Sequence, residues 1–126
     1  MKSKLEIYAL AVCFAAMVCL VVSFGIAGFG IFEIATPELT MRSYTYEKFQ
    51  TNDSYFENKR PCCSKEKEPR PSEDVLTKQR LEAFAVETKG EQREGFQTLI
   101  KCMMFIAASG IALAVHWKIA QKARGS

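Results

Sequence analysis

Two apolar stretches flank one polar stretch in this chain. No charged residue occurs in the 26 residues from Ile7 to Phe32, and none occurs in the 16 residues from Cys102 to Trp117. Between Glu33 and Gln97, by contrast, there are 11 Lys or Arg and 13 Asp or Glu. This segregation of apolar from charged residues is typical of a membrane protein and excludes a single soluble core.

The first apolar stretch is long enough to cross a bilayer. As an α-helix, Ile7–Phe32 would extend about 39 Å at about 1.5 Å per residue, against roughly 30 Å of hydrocarbon. We predict a transmembrane helix over residues 7–34 after a basic tail of residues 1–6. A cleaved signal peptide is the alternative, but its apolar core would contain only about 7–15 residues, so we expect the segment to be retained.

The second apolar stretch predicts another transmembrane helix, over residues 98–117. Lys101 lies one turn inside its start, where a lysine can extend its ammonium group to the lipid headgroups. His116 and Trp117 are suited to the opposite interface, and a basic tail of residues 118–126 follows. Two crossings place both ends of the chain on one side of the membrane.

Small residues recur along both apolar stretches at steps of three and four, which places them on one face of each helix. Small side chains let helices approach closely in lipid, where hydrophobicity favours no partner. We therefore predict packing faces against the other helix, a second copy or another protein. These faces consist of Ala9, Cys13, Ala16, Ser23, Ala27 and Gly30 in the first stretch and Ala107, Gly110 and Ala114 in the second.

The polar stretch is predicted to be mainly helical. Residues 35–60 contain helix-start signals at Thr36-Pro37 and Thr51-Asn52, residues 61–71 form a linker rich in proline and charge, and residues 72–97 form a stalk helix that continues into the second crossing. Its aromatic and apolar side chains form either the core of this region or a contact with a partner. They are Tyr44, Tyr46, Phe49, Tyr55, Phe56, Leu81 and Phe84.

Charge gives a weak indication of orientation. Five basic residues lie near the membrane in the terminal tails and five in the loop, so the positive-inside rule barely discriminates. The tails are short and basic, whereas the loop is net acidic, which favours cytoplasmic termini and an external loop. A bacterial inner membrane is the expected location.

The sequence contains no convincing catalytic constellation, and we predict no enzyme, metal site or cofactor. Cys62 and Cys63 are adjacent thiols in a charged loop, and they could form inter-chain bridges, contact a soft metal or remain free. The lone His116 suits an interface, and Glu33 would line a pore mouth only in an oligomer. The mixed charge provides no basic stripe for nucleic acid, and no small-molecule substrate is evident.

The predicted fold is an all-α membrane protein: a hairpin of two transmembrane helices with a charged helical loop. The predicted function is a non-catalytic accessory or assembly subunit that contacts lipid and packs on a larger membrane protein or on copies of itself. A homo-oligomeric channel or pore is the alternative, although the helices offer few polar side chains to line one. A membrane thiol oxidoreductase using Cys62 and Cys63 is a third possibility.

Overall fold

The computed structural model describes residues 3–59 and 69–125, and these ranges are almost entirely helical. They contain no strand, which confirms the predicted all-α fold. Two of the helices are long and apolar enough to span a membrane, as the sequence predicts. The helices are α1 (Lys4–Ala35), α2 (Pro37–Thr40), α3 (Ser43–Lys48), α4 (Asn52–Lys59) and α5 (Glu73–Gly125).

Local capping explains where the helices begin. α1 starts at Lys4 because Ser3 accepts two backbone N–H groups, that of Glu6 at its Oγ and that of Ile7 at its carbonyl, both at 3.1 Å. α2 starts with Pro37, whose missing N–H costs nothing in a first helical turn. The hydroxyl of Thr51 accepts the Ser54 N–H at 3.1 Å at the start of α4, as an N-cap residue should.

α5 continues without a break from the predicted stalk into the second apolar stretch. Ser72 precedes it, and the Ser72 carbonyl accepts the Leu76 N–H at 2.9 Å in the first turn. Gly90 and Gly95 both lie inside the helix, although glycine is a weak helix former. Most of the predicted 61–71 linker lies outside the described residues.

The chain divides into two compact units. We call Met1–Ile31 together with Gly95–Ser126 the apolar unit, and Phe32–Glu94 the polar unit. The apolar unit contains most of α1 and the C-terminal part of α5. The polar unit contains the end of α1, the three short helices and the N-terminal part of α5.

In the apolar unit, α1 and α5 pack against each other in opposite directions. Arg124 pairs with Glu6 near one end, where its Nε donates to Oε1 at 3.2 Å. Further along, the Cys13 thiol lies 3.9 Å from the Leu113 carbonyl oxygen, to which it can donate a weak hydrogen bond. Residue numbers therefore fall along α5 as they rise along α1.

The two helices approach closely at Gly30. A Cβ at this position would lie 3.1 Å from the Gly95 carbonyl oxygen and 3.4 Å from Thr98 Cβ. The first of these atoms belongs to helix backbone, which cannot move aside as the end of a side chain can. Glycine at position 30 thus permits backbone-to-backbone contact, which is how small residues stabilise helix pairs in lipid.

The polar unit has a small core of its own. Phe49 lies at its centre, with ring centroids 5.7 Å from Phe84 and 6.0 Å from Tyr55. Tilted and edge-on contacts at this separation are favourable for aromatic rings. The buried apolar side chains of this unit are Met41, Phe49, Phe56 and Leu76.

Polar contacts around Arg70 tie α4 to the start of α5. Arg70 Nη2 lies 2.6 Å from Asp53 Oδ1 and 2.8 Å from Glu73 Oε1. The hydrogen bond to Asp53 is the largest of the effects that raise the pKa of Arg70 above its usual value, followed by the charge of Glu73. These groups are exposed to solvent, so the ion pairs orient the elements more than they stabilise them.

We expect Gly30→Ala to destabilise the apolar unit and Gly28→Ala to leave it intact. The added methyl at position 30 meets backbone, and overpacking of this kind costs about 1–3 kcal/mol. At position 28 a Cβ has nothing within 4 Å. Thermal denaturation of the detergent-solubilised chain, followed by circular dichroism, measures both. Equal midpoints for the two variants would contradict the close approach at Gly30.

We expect Phe49→Ala to lower the free energy of unfolding by about 3 kcal/mol, as for other buried aromatics. Leu39→Ala, which removes a side chain that is 81% exposed in the same unit, is the control and should change stability little. Limited proteolysis of the full-length chain, with cleavage followed within the polar unit, distinguishes the two variants. Equal protection of both variants would show that Phe49 is not part of a core.

Candidate functional site

The outer surface of the apolar unit consists of large hydrophobic side chains. Phe14 is 73% exposed and Val21 68% exposed on α1, and Met104 is 70% exposed on α5. Each such side chain would gain about 1.5–3 kcal/mol if it were transferred out of water. A continuous apolar surface of this kind marks contact with a membrane or with another protein.

The predicted small-residue face of α1 lies on the inner side of the apolar unit. Cys13 and Gly30 contact α5 through Leu113 and through Gly95 and Thr98, as described above. Ala27 is half-buried. The other predicted members, Ala9, Ala16 and Ser23, are buried.

The predicted small-residue face of α5 is placed differently. Ala107 and Ala114 are exposed and Gly110 is half-buried, so these residues are largely left open by the packing on α1. A neighbouring set is buried or half-buried instead, at the same steps of three and four. It consists of Cys102, Ile106, Ser109, Leu113, His116 and Ala120.

Sequence reasoning missed this second set on α5 because it mixes residue sizes. Ile106 and Leu113 are as large as the exposed apolar side chains of the same helix, and only the periodicity of the set could have indicated it. A search for small residues alone therefore finds the covered face of α1 but not the covered face of α5.

The exposed small residues of α5 open an apolar groove on the apolar unit. The groove has a volume of about 500 Å³, and Gly110 and Ala114 leave the space that larger side chains would fill. Its walls are bulkier and come from both helices. They are formed by Cys13, Phe14, Met17, Leu113 and Trp117.

Polar side chains near the end of the apolar unit that contains the start of α1 are paired. The Glu6 carboxylate is only 7% exposed and binds Arg124, which sequence reasoning treated as part of the basic tail. The Tyr8 and His116 rings meet edge to face at 5.9 Å. His116 Nδ1 lies 2.8 Å from the Ala112 carbonyl oxygen, so this nitrogen carries the proton that it donates.

The predicted partner-contact residues of the loop fall into two groups. Phe49 and Phe56 are buried, and Tyr55 and Phe84 are half-buried in the polar unit. Tyr44 and Leu81 are 71% and 56% exposed, and Tyr46 is also exposed. Contact with a partner stays a prediction, and the second group has the accessible surface that it requires.

The predicted thiol pair, Cys62 and Cys63, lies outside the described residues. Among the described cysteines, Cys13 and Cys102 are buried and Cys19 is exposed, and all three are free thiols. Cysteine in an apolar helix commonly acts as a small hydrophobic side chain, which accounts for the buried positions of Cys13 and Cys102.

Three glutamates of the polar unit lie close together. Glu33, at the end of α1, meets Glu91 and Glu94 of α5, with one carboxylate oxygen from each lying within 4.8 Å of the others. Glu91 and Glu94 are three residues apart and so share a helix face. Gln92 fixes the register, because its Nε2 donates to the Ile34 carbonyl at 3.1 Å.

The electrostatics of this cluster are unfavourable to full ionisation. Burial raises the pKa of Glu91, and the nearby charges of Glu94, Glu33 and Glu87 raise it further, while the hydroxyl of Thr40 partly offsets them. In general, a carboxylate close to other carboxylates has a raised pKa, because its own negative charge is repelled by theirs. In the described ranges, the salt bridges of Arg70 and Arg124 do not involve these glutamates.

Comparison of the chain with protein-family models, with curated proteins and with solved structures finds no match.

We expect Glu91→Gln to stabilise the chain by about 0.5 kcal/mol at neutral pH without divalent cations, the scale of exposed like-charge repulsion. The pKa of Glu91 is higher in the folded chain than in the unfolded chain. Ionisation of Glu91 therefore lowers the free energy of unfolding as the pH rises above the ordinary pKa of a glutamate. Below the ordinary glutamate pKa, Glu91 is protonated in both the folded and the unfolded chain, so the stabilisation by Glu91→Gln should vanish. Thermal midpoints across pH measure this, with Glu82→Gln as the exposed control. A lower midpoint for Glu91→Gln at neutral pH would contradict the repulsion.

Proposed function

We propose that this protein is a small two-pass membrane accessory or assembly subunit without catalytic activity of its own. Its two apolar segments cross the bilayer as a helical hairpin, and it packs on a larger membrane protein. The observation that carries the proposal is the exposure of large apolar side chains around the apolar unit, because only lipid or another protein surface can cover them favourably.

The internal packing of the hairpin leaves a docking surface free. The α1 face is used against α5, so the small residues of α5 remain for another helix. Gly110 and Ala114 lie on the floor of the apolar groove, and a small-residue groove admits a helix backbone closely enough for dispersion to hold it in lipid. Trp117 at its edge supplies a flat aromatic surface of the kind enriched at protein interfaces.

The loop would add contacts outside the bilayer. Tyr44 and Leu81 are the exposed members of the predicted contact set, and the aromatic core of the polar unit gives them a rigid support. Exposed tyrosines bind well because a large ring is ordered at low entropic cost. A bacterial inner membrane, cytoplasmic termini and an external loop remain the proposed setting, on the charge distribution of the sequence.

The discriminating experiment is purification of the tagged chain from its native membrane in mild detergent, with Gly110→Leu/Ala114→Leu compared with Ala108→Leu. The double variant fills the groove, whereas Ala108 is exposed outside it. Loss of about 1.4 kcal/mol of helix contact would reduce a stoichiometric partner about tenfold. The control should retain it.

Other results would overturn the proposal in different ways. A chain that purifies alone as a monomer, or a partner bound equally by the groove variant, contradicts docking at this groove. A pure oligomer of this chain favours the alternative, a homo-oligomeric channel or pore. Ion flux through liposomes containing that oligomer would then decide between a channel and a structural assembly.

A further inference from the structure

The carboxylate cluster of the polar unit has the composition of a hard-cation site. Glu33, Glu91 and Glu94 supply oxygen donors, and oxygen donors are the ligands that Ca²⁺ and Mg²⁺ take in proteins. The hydroxyl of Thr40 lies next to the cluster, 3.5 Å from Glu91 Oε2. Its single proton can go instead to the Pro37 carbonyl, 3.2 Å away, which would leave the hydroxyl oxygen free to act as a neutral donor.

A second observation points to a ligand within this cluster. Glu33 Oε2 is shielded from solvent and has no hydrogen-bond partner among the described residues. The residue as a whole is half-buried, and its carboxylate is the enclosed part. A buried carboxylate oxygen without a donor is costly, because it has lost water and gained nothing in return. A bound cation would supply the missing partner.

The spacing of the donors suits calcium. Ca²⁺ holds oxygen atoms at about 2.3–2.6 Å, so ligands on opposite sides of it stand roughly 4.6–5.2 Å apart. The three carboxylate oxygens lie within 4.8 Å of one another, which is close enough for one cation to bind all of them. Mg²⁺ demands near-octahedral geometry and gives up its water reluctantly, whereas Ca²⁺ accepts irregular sets of oxygen ligands, so Ca²⁺ is the preferred ion.

We propose that Glu33, Glu91 and Glu94, with Thr40 as a neutral donor, form a binding site for a divalent cation, with Ca²⁺ preferred. The cation would join the end of α1 to α5 within the polar unit. Its positive charge would offset the mutual repulsion of the three carboxylates. The site does not rest on the proposed accessory function, because all four residues belong to one unit of a single chain.

The test is calorimetric titration of CaCl₂ into the full-length, detergent-solubilised chain after treatment with a chelator at neutral pH. We expect saturable binding of one Ca²⁺ per chain, with weaker binding of Mg²⁺. Glu33→Gln should weaken Ca²⁺ binding by at least about tenfold, since even indirect supports of metal ligands cost about 10–100-fold. Glu82→Gln, on the exposed surface of α5, should bind as the unaltered chain does.

A second measurement needs no variant. Saturating Ca²⁺ should raise the thermal midpoint of the unaltered chain relative to the chelator-treated sample, because a ligand that binds only the folded state stabilises it. Absence of saturable binding would mean that the three glutamates are neighbours without a ligand, and this overturns the proposal. Ca²⁺ binding that survives in the Glu33→Gln/Glu94→Gln double variant, or a thermal midpoint that Ca²⁺ leaves unchanged, overturns it as well.

Discussion

The cost of placing apolar surface in water is the constraint on which the rest of this structure depends. Two helices present phenylalanine, valine and methionine side chains outward along most of their apolar lengths. A soluble protein of this size would bury such side chains in its interior. Here the inner face of α1 consists mainly of small residues, the covered face of α5 mixes small and large ones, and many bulky side chains of both helices are exposed.

This constraint also explains where the charged groups lie. In the apolar unit, Glu6 and Arg124 form a pair at one end, and no other ion pair is present in the described part of that unit. The remaining charge is concentrated in the polar unit, where solvent can hydrate it. The three clustered glutamates are the exception, because the packing of α1 on α5 encloses part of their carboxylate surface.

The all-α fold and the two long apolar helices were predictable because both signals are local. An uncharged run of residues can be recognised without knowing what the helix packs against. The same holds for a capping residue such as Thr51 before α4. The choice of face on α5 was not predictable in the same way. Ala107–Gly110–Ala114 and Cys102–Ile106–Ser109–Leu113 have the same helical spacing, and only the shape of α1 decides which of them is covered.

The glutamate cluster was out of reach for a related reason. Glu91 and Glu94 look like ordinary solvated charges on a helix, and Glu33 looks like an interfacial acid at the end of another. Nothing in a local sequence pattern indicates that Glu33 lies close to Glu91 and Glu94, which are 58 and 61 positions further along the chain. Such sites arise from the register between helices, which in the polar unit is marked by the hydrogen bond from the Gln92 side chain to the Ile34 carbonyl, 58 positions away.

The contact between Glu6 and Arg124 joins residues 118 positions apart, and this has a consequence for synthesis. Chains grow at about 5–20 residues per second, so Glu6 emerges roughly 6–24 s before the arginine that pairs with it. During that interval the small-residue face of α1 has no covering from its own chain. The two helices can therefore complete their contact only after the end of α5 has been made, and until then the small-residue face of α1 is open to any other apolar helix.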